Sequence, residues 1–282
     1  SYKQINANII YLNVNVFIKG EIIMLVGCTA KIGEYDLVSK SGFDYIELAG
    51  KVVAILNDDE FEKLRMTIKH GSLPCLALNA YCDSDIIIAG LGFNIKNAQE
   101  YARRLALRAD KLGVKVVNIG SPKSRILPAD YNRDLADEQI QQFYSVTADE
   151  FAKYGIIVTV EALGYCFCNY VNKIDEALSI VKKVNKYNLK FVLDYYNMQQ
   201  SNEENADISP TLPYLAHVHT SDDAGSPQLR SYFKKDRYSV HENHLRNLKQ
   251  LGYDGTITIE IDVPFNVDEA KSSLELIRQT WC

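Results

Sequence analysis

The sequence predicts an α/β chain closed as a (β/α)8 TIM barrel. Three observations predict it. Eight short runs rich in Val and Ile recur along the chain, amphipathic stretches separate them, and the 282 residues are close to the roughly 250 typical of that fold. The runs are Met24–Cys28, Tyr45–Leu48, Cys75–Asn79, Val114–Ile119, Ile156–Glu161, Lys190–Asp194, Leu215–His219 and Thr256–Ile261. Several are apolar on consecutive positions, as strands covered on both faces are. Between them, Ala98–Leu112, Asp137–Tyr154, Asn172–Tyr187 and Val240–Leu251 carry a helical period. In the first of these, Ala98, Tyr101, Ala102, Leu105 and Ala109 share one stripe. Gly113, Gly155 and Gly252 each stand between a helix and a strand, where a left-handed cap is wanted. A doubly wound open sheet is the competing architecture, but no G-x-G-x-x-G or G-x-x-x-x-G-K-[ST] loop follows any strand.

Composition is ordinary for a globular chain, with 47% apolar and 24% charged residues. Thirty-one basic against 36 acidic residues leave a formal charge of −5. That balance argues against a dedicated nucleic-acid binder, which needs a basic surface to displace counterions from phosphates. No run approaches the roughly 18 apolar residues of a membrane span. The six cysteines (Cys28, Cys75, Cys82, Cys166, Cys168, Cys282) are too sparse for a disulfide scaffold. Cys166 and Cys168 form a C-x-C pair with no second pair near it, so reduced, buried thiols are expected rather than a thiolate metal site.

Residues 1–23 alternate Asn with apolar residues and lack the basic start and cleavage site of a signal peptide. They are expected to be an extension, an added strand or hairpin with Lys19-Gly20 near its turn. A single domain spanning 24–282 follows it, and the cytoplasm is the expected location. Ser221–Arg237 is a polar loop, containing Gly225 and Pro227, between the seventh strand and the last long helical pattern.

In such a barrel the chemistry sits where strands finish. Four late strands each finish in a potential metal ligand: Glu161, Asp194, His219 and Glu260. Their successive gaps of 33, 25 and 41 residues suit one strand–helix unit per ligand. Three carboxylates and an imidazole make a hard, oxygen-rich site suited to Mn2+ or Mg2+, with Zn2+, Co2+ and Fe2+ also able to bind. Each residue also has a plainer reading. A carboxylate after a strand is often a helix cap or an ion-pair partner, and a histidine in H-x-H is often a hydrogen-bonded core residue. Period-two geometry points His217 and His219 to the same side of their strand. The recurrence at four strand ends favours a site.

The combined pattern resembles the xylose isomerase-like barrels, the sugar phosphate isomerases and epimerases. This group includes ketose 3-epimerases, hydroxypyruvate isomerase and inosose dehydratase, with endonuclease IV as a distant relative. The stretches that carry the resemblance are Lys153–Glu161, Leu193–Met198, His217–Asp222 and Gly252–Glu260. It implies that Glu161, Asp194, His219 and Glu260 hold one divalent metal, usually Mn2+ in the epimerases. It also implies that Glu161 and Glu260 are the catalytic pair facing each other across a small carbohydrate substrate. A Lewis acid would then stabilise a developing enediolate while one glutamate removes a carbon-bound proton and either returns it. Homodimers are frequent in the group.

The sequence also departs from the family pattern. Asn197 stands where related epimerases commonly carry His. After the strand-five Glu the chain reads Ala162-Leu163-Gly164-Tyr165-Cys166-Phe167, so Tyr165 and Phe167 replace an Arg and a Glu that would bind sugar hydroxyls. The metal site is complete while the polar sugar shell is thinned, which fits a more apolar or aromatic substrate, a changed reaction or lost catalysis. Asn197, His217, Tyr165, Phe167, Glu47 and Asn79 are the candidate substrate contacts, with a structural salt bridge the alternative for Glu47 and a place behind a metal ligand the alternative for His217. Ser121, Lys123 and Arg125 offer either an anion site or a solvated loop. The expected activity is a metal-dependent isomerase or epimerase acting on a ketose or related polyhydroxy carbonyl compound. The alternatives are a dehydratase of the inosose dehydratase type and a degenerate carbohydrate-binding barrel. A three-zinc phosphodiesterase is disfavoured by the five histidines in all.

Overall fold

The computed structural model describes residues 10–12, 15–18 and 21–281. Eight parallel strands close into a barrel: β1 (Leu25–Thr29), β2 (Tyr45–Ala49), β3 (Cys75–Asn79), β4 (Val116–Ile119), β5 (Ile157–Glu161), β6 (Leu189–Asp194), β7 (Leu215–Thr220) and β8 (Thr256–Ile259). Each pairs with the next in sequence, and β8 pairs with β1. The helices are α1 (Tyr35–Lys40), α2 (Gly50–Ile55), α3 (Asp58–His70), α4 (Ile95–Leu112), α5 (Arg133–Ala152), α6 (Ile174–Val184), α7 (Tyr195–Gln200), α8 (Tyr238–Gln250) and α9 (Val267–Trp281). The (β/α)8 TIM barrel expected from the alternation is the observed fold.

The ends of these elements follow from local chemistry. Helix α4 starts where the Asn94 side chain accepts from the Lys96 and Asn97 amides, and it ends at Gly113 with φ +85°. The predicted stripe of Ala98, Tyr101, Ala102, Leu105 and Ala109 is buried. Because the Val114 amide still bonds back to Ala109 in that cap, β4 begins two residues later than the apolar run suggests. Helix α6 likewise stops at a left-handed Asn185, short of the predicted Tyr187. Strand β8 is shorter than its run and ends at Ile259, although the Glu260 amide still donates to Thr220 across the barrel wall.

The core has two parts. The larger lies between the strands and the surrounding helices, and Trp281 packs on it from α9. Inside the barrel, Tyr45, Leu76, Ala77 and Val116 cluster near the strands' amino-terminal ends. Toward the other end the interior turns polar: Glu47, Asn118, Thr159, His217, His219, Thr256 and Thr258 are all buried. An interior of this kind departs from the branched apolar layers usual for the fold, and it lies directly beneath the site described below.

Ile10–Leu12, Asn15–Ile18 and Glu21–Ile23 form an antiparallel three-stranded sheet, and the expected Lys19-Gly20 turn lies outside the described residues. Cys28, Cys75, Cys82 and Cys168 are buried free thiols, and Cys166 is half-buried. Among the described residues no helix is long and apolar enough to cross a membrane. The loop after β7 carries a small antiparallel ribbon, Asp222–Asp223 against Arg230–Ser231, which turns the chain back over the barrel.

Candidate metal centre and active site

Strands β5, β6 and β7 deliver Glu161, Asp194 and His219, and Glu260 follows β8 directly. The four residues can each offer a ligand atom such that all four atoms lie within 4.8 Å of one another. His219 Nδ1 is 3.2 Å from Glu260 Oε2 and 3.9 Å from Glu161 Oε1. His219 Nδ1 and Glu260 Oε2 are both buried, and neither makes a well-aligned hydrogen bond among the described residues. Space for the Glu161 carboxylate comes from the residue after β4. A Cβ placed on Gly120 would sit 2.4 Å from Glu161 Oε2, so a side chain there would displace the carboxylate.

Asp194 satisfies both of its plainer readings, helix cap and ion-pair partner. Its Oδ1 accepts from the Tyr196 and Asn197 amides and caps α7. Its Oδ2 accepts from Asn197 Nδ2 at 2.9 Å and lies 2.7 Å from Arg230 Nη1. Arg230 also reaches Glu260 Oε2 at 3.1 Å, and its guanidinium lies over the rings of Tyr196 and Phe167 at 4.9 and 5.5 Å. This buried cation offsets part of the repulsion among three carboxylates. Electrostatics separate the two glutamates. Burial raises the Glu161 carboxyl, and the Glu260 and Asp194 charges raise it further against His219. Burial also opposes ionisation of Glu260, but Arg230 and His219 outweigh it and hold its carboxyl low. For His219, burial disfavours the proton, yet Glu47 and Glu260 together lift its pKa well above the ordinary value.

Two buried, converging atoms without a well-aligned hydrogen bond, within a set of three carboxylates and one imidazole, fit a divalent cation. Four donors, three of them oxygen, suit Mg2+ or Mn2+, and carboxylate and imidazole donors also suit Zn2+.

The other sequence candidates divide by position. Asn79 donates to Glu260 Oε1 at 3.0 Å. Asn197 has its amide fully used: Nδ2 bridges Glu161 Oε1 and Asp194 Oδ2, and Oδ1 accepts from the Gly164 amide. It therefore holds two candidate ligands in place, with both amide hydrogens engaged. His217 is fully buried beneath the site, with Nε2 on Glu47 and Nδ1 on Thr256. Glu47 is equally buried, enclosed by His217, His219 and Asn118. Both were expected to meet substrate, and both instead face inward, because period-two geometry turns their side chains into a closed interior. Phe167 lies beside Arg230, whereas Tyr165 is 54% exposed with Lys173 over its ring. Arg125 is fully buried and donates to the Glu161 carbonyl, so it braces β5, while Lys123 is exposed. Sequence reasoning missed Arg230, Asn118 and Gly120. Arg230 sits in a polar loop whose return over the barrel depends on a ribbon of only two residue pairs, and nothing in its spacing ties it to the strands.

Comparisons with known proteins agree with this geometry. A family model described as "Xylose isomerase-like TIM barrel" matches residues 35–280. A D-psicose 3-epimerase of Agrobacterium fabrum (strain C58) is 27% identical over 248 residues, covering 82% of this chain and 80% of that protein. Among solved structures, D-psicose 3-epimerase with D-tagatose from Clostridium cellulolyticum H10 superposes with a TM-score of 0.71 at 19% identity, over 92% of this chain and 99% of the other. The IOLI protein with a zinc atom superposes with a TM-score of 0.67 at 19% identity, over 91% and 96%.

Proposed function

Because the chain belongs to the xylose isomerase-like TIM barrel family, we propose that it is a divalent-metal-dependent epimerase or isomerase of a ketose or a related polyhydroxy carbonyl compound. The observation that carries this reading is the convergence of Glu161, Asp194, His219 and Glu260 within 4.8 Å at the carboxyl-terminal mouth of the barrel. The relative that acts on D-psicose supports a ketose substrate.

Glu161, Asp194, His219 and Glu260 would hold the ion; the oxygen-rich donor set suits Mn2+ or Mg2+, and the family resemblance favours Mn2+. When bound, it supplies Lewis acidity toward a substrate carbonyl and its neighbouring hydroxyl. The chain's own residues do the rest. One of the two glutamates removes the proton from the carbon beside the carbonyl, the electron pair delocalises as an enediolate, and a glutamate carboxyl returns a proton. Return to the opposite face of the same carbon inverts it, whereas return to the neighbouring carbon moves the carbonyl. Asn197 and Asn79 hold the carboxylates in register, and Arg230 adds a fixed positive charge where negative charge develops. Phe167 presents a ring face rather than a hydrogen-bonding group, so the site favours substrates with fewer hydroxyls to satisfy beyond the reacting carbons.

The test is incubation of Mn2+-loaded protein in D2O with D-psicose, D-fructose, D-tagatose and an inosose. The reading expects deuterium at the carbon next to the carbonyl together with a new epimer or isomer of unchanged formula. A product lighter by one water would assign a dehydratase, and absence of exchange across the panel would reject the enediolate chemistry.

A further inference from the structure

Beneath the mouth of the barrel, the Glu47 carboxylate is set among hydrogen-bond donors. It is fully buried, and its two oxygens take three donors. Asn118 Nδ2 lies 2.8 Å and His219 Nε2 3.1 Å from Oε1, and His217 Nε2 lies 3.1 Å from Oε2. Asn118 is itself held by the Thr159 hydroxyl at 2.7 Å. On the other side, His217 Nδ1 meets the Thr256 hydroxyl at 2.6 Å, and the Thr258 hydroxyl lies 3.1 Å from His217 Nε2 and 2.7 Å from the Tyr45 hydroxyl. This assembly ties both Glu47 oxygens to the barrel interior.

We propose that Glu47 is a positioning residue that fixes the tautomer of His219. When it ligates a cation, the imidazole is neutral and carries one N–H. With that hydrogen on Nε2 and donated to Glu47, Nδ1 presents its lone pair among Glu161 and Glu260, where a cation would sit. The opposite tautomer would set a lone pair 3.1 Å from a carboxylate oxygen and would place the hydrogen where the ion must bind. A carboxylate behind a metal-binding histidine orients the ring and raises its basicity, and loss of such a partner typically weakens metal affinity by about 10- to 100-fold. Gln at position 47 keeps the shape of Glu but turns one acceptor into an N–H2 donor, which must then face one of three existing donors. The proposal rests on the metal-dependent reading above.

The test is metal affinity by chelator competition, with Mn2+ and Zn2+, for wild type and Glu47→Gln, together with 15N spectra of histidine-labelled, Zn2+-loaded protein. The expected result is a dissociation constant raised about 10- to 100-fold in Glu47→Gln. In the wild type, His219 Nε2 should carry the hydrogen and show the shift of a strong hydrogen bond, and that shift should move in the variant. Equal affinities, or a wild-type His219 with its hydrogen on Nδ1, would overturn the proposal. The wild-type spectrum decides the tautomer even if the substitution prevents folding. Tight ion binding with no turnover of any sugar would defeat the functional reading while leaving the role of Glu47 standing, whereas a wild type that binds no ion would overturn both.

Discussion

Glu47 and Glu161 are the same residue type, each buried on a barrel strand, but Glu47 stands in the middle of β2 in the first half of the barrel and Glu161 ends β5 in the second. Glu47 is surrounded by three donors from two strands, and although burial opposes its charge, His219 and His217 hold its carboxyl well below the usual range. Glu161 faces Asp194 and Glu260, and burial with those two charges drives its carboxyl up. A buried carboxylate with its donors satisfied behaves as structure. A buried carboxylate set among others carries free energy that only a cation or a proton relieves. Glu47, from the first half of the barrel, thus supports a candidate ligand, whereas the four candidate ligands themselves come from the second half.

The comparison is broken most directly through activity. Glu161→Gln should lower deuterium exchange into substrate by roughly 10²- to 10⁴-fold, the usual worth of a positioned acid–base group; retained turnover would remove Glu161 from the chemistry. Next in size, Gly120→Ala should reduce turnover by about 100-fold through displacement of the Glu161 carboxylate, since a misplacement of about an ångström has that cost. Steady-state kinetics with unchanged circular dichroism would verify it.

Stability sharpens the contrast because the signs differ. Glu47→Gln should cost about 1.5–3 kcal/mol in denaturant unfolding, the worth of hydrogen bonds to a charged group. In metal-free protein Glu161→Gln should leave stability unchanged or raised, since it removes a repelling charge. Equal losses for both variants would dissolve the distinction between them.

The smallest effect concerns pH. Burial pushes the His244 pKa down to about 4 from a usual 6.5. Below pH 6.5 the unfolded chain therefore takes up a proton that the folded chain refuses. Stability is lost as pH falls from about 6.5 to about 4, by at most about 1.4 kcal/mol per pH unit. Glu47 behaves differently: its lowered carboxyl contributes stability fully above its usual 4.5, and that contribution is lost only as pH falls through the depressed folded value. His244→Phe keeps a ring against Tyr195, which stacks on His244 at 4.0 Å. The variant should flatten the slope above pH 4.5, as read from thermal unfolding across a pH series.

Much of this was legible because strands and ligands are local signals. The β-branched runs fix the eight strands, and a carboxylate or imidazole at a strand's end is visible without knowing the neighbours. What a side chain does with its polar atoms is set by distant segments. Asn197 reads from sequence as a substrate contact, and only the fold shows its amide bonded to Gly164, Glu161 and Asp194. His217 has the right residue type and the right side of its strand, yet Glu47 and Thr256, both from other strands, claim its nitrogens. Arg230 reaches Asp194 and Glu260 from a polar loop, and loop geometry leaves no period in sequence.

The central claim is that four side chains from the last four strands share one divalent ion. Titration of the protein with Mn2+, followed by the electron paramagnetic resonance of the free ion, tests it most directly. One tight site per chain, lost in Asp194→Asn and in Glu260→Gln, is the predicted result. No tight site, or one that survives both substitutions, would contradict it.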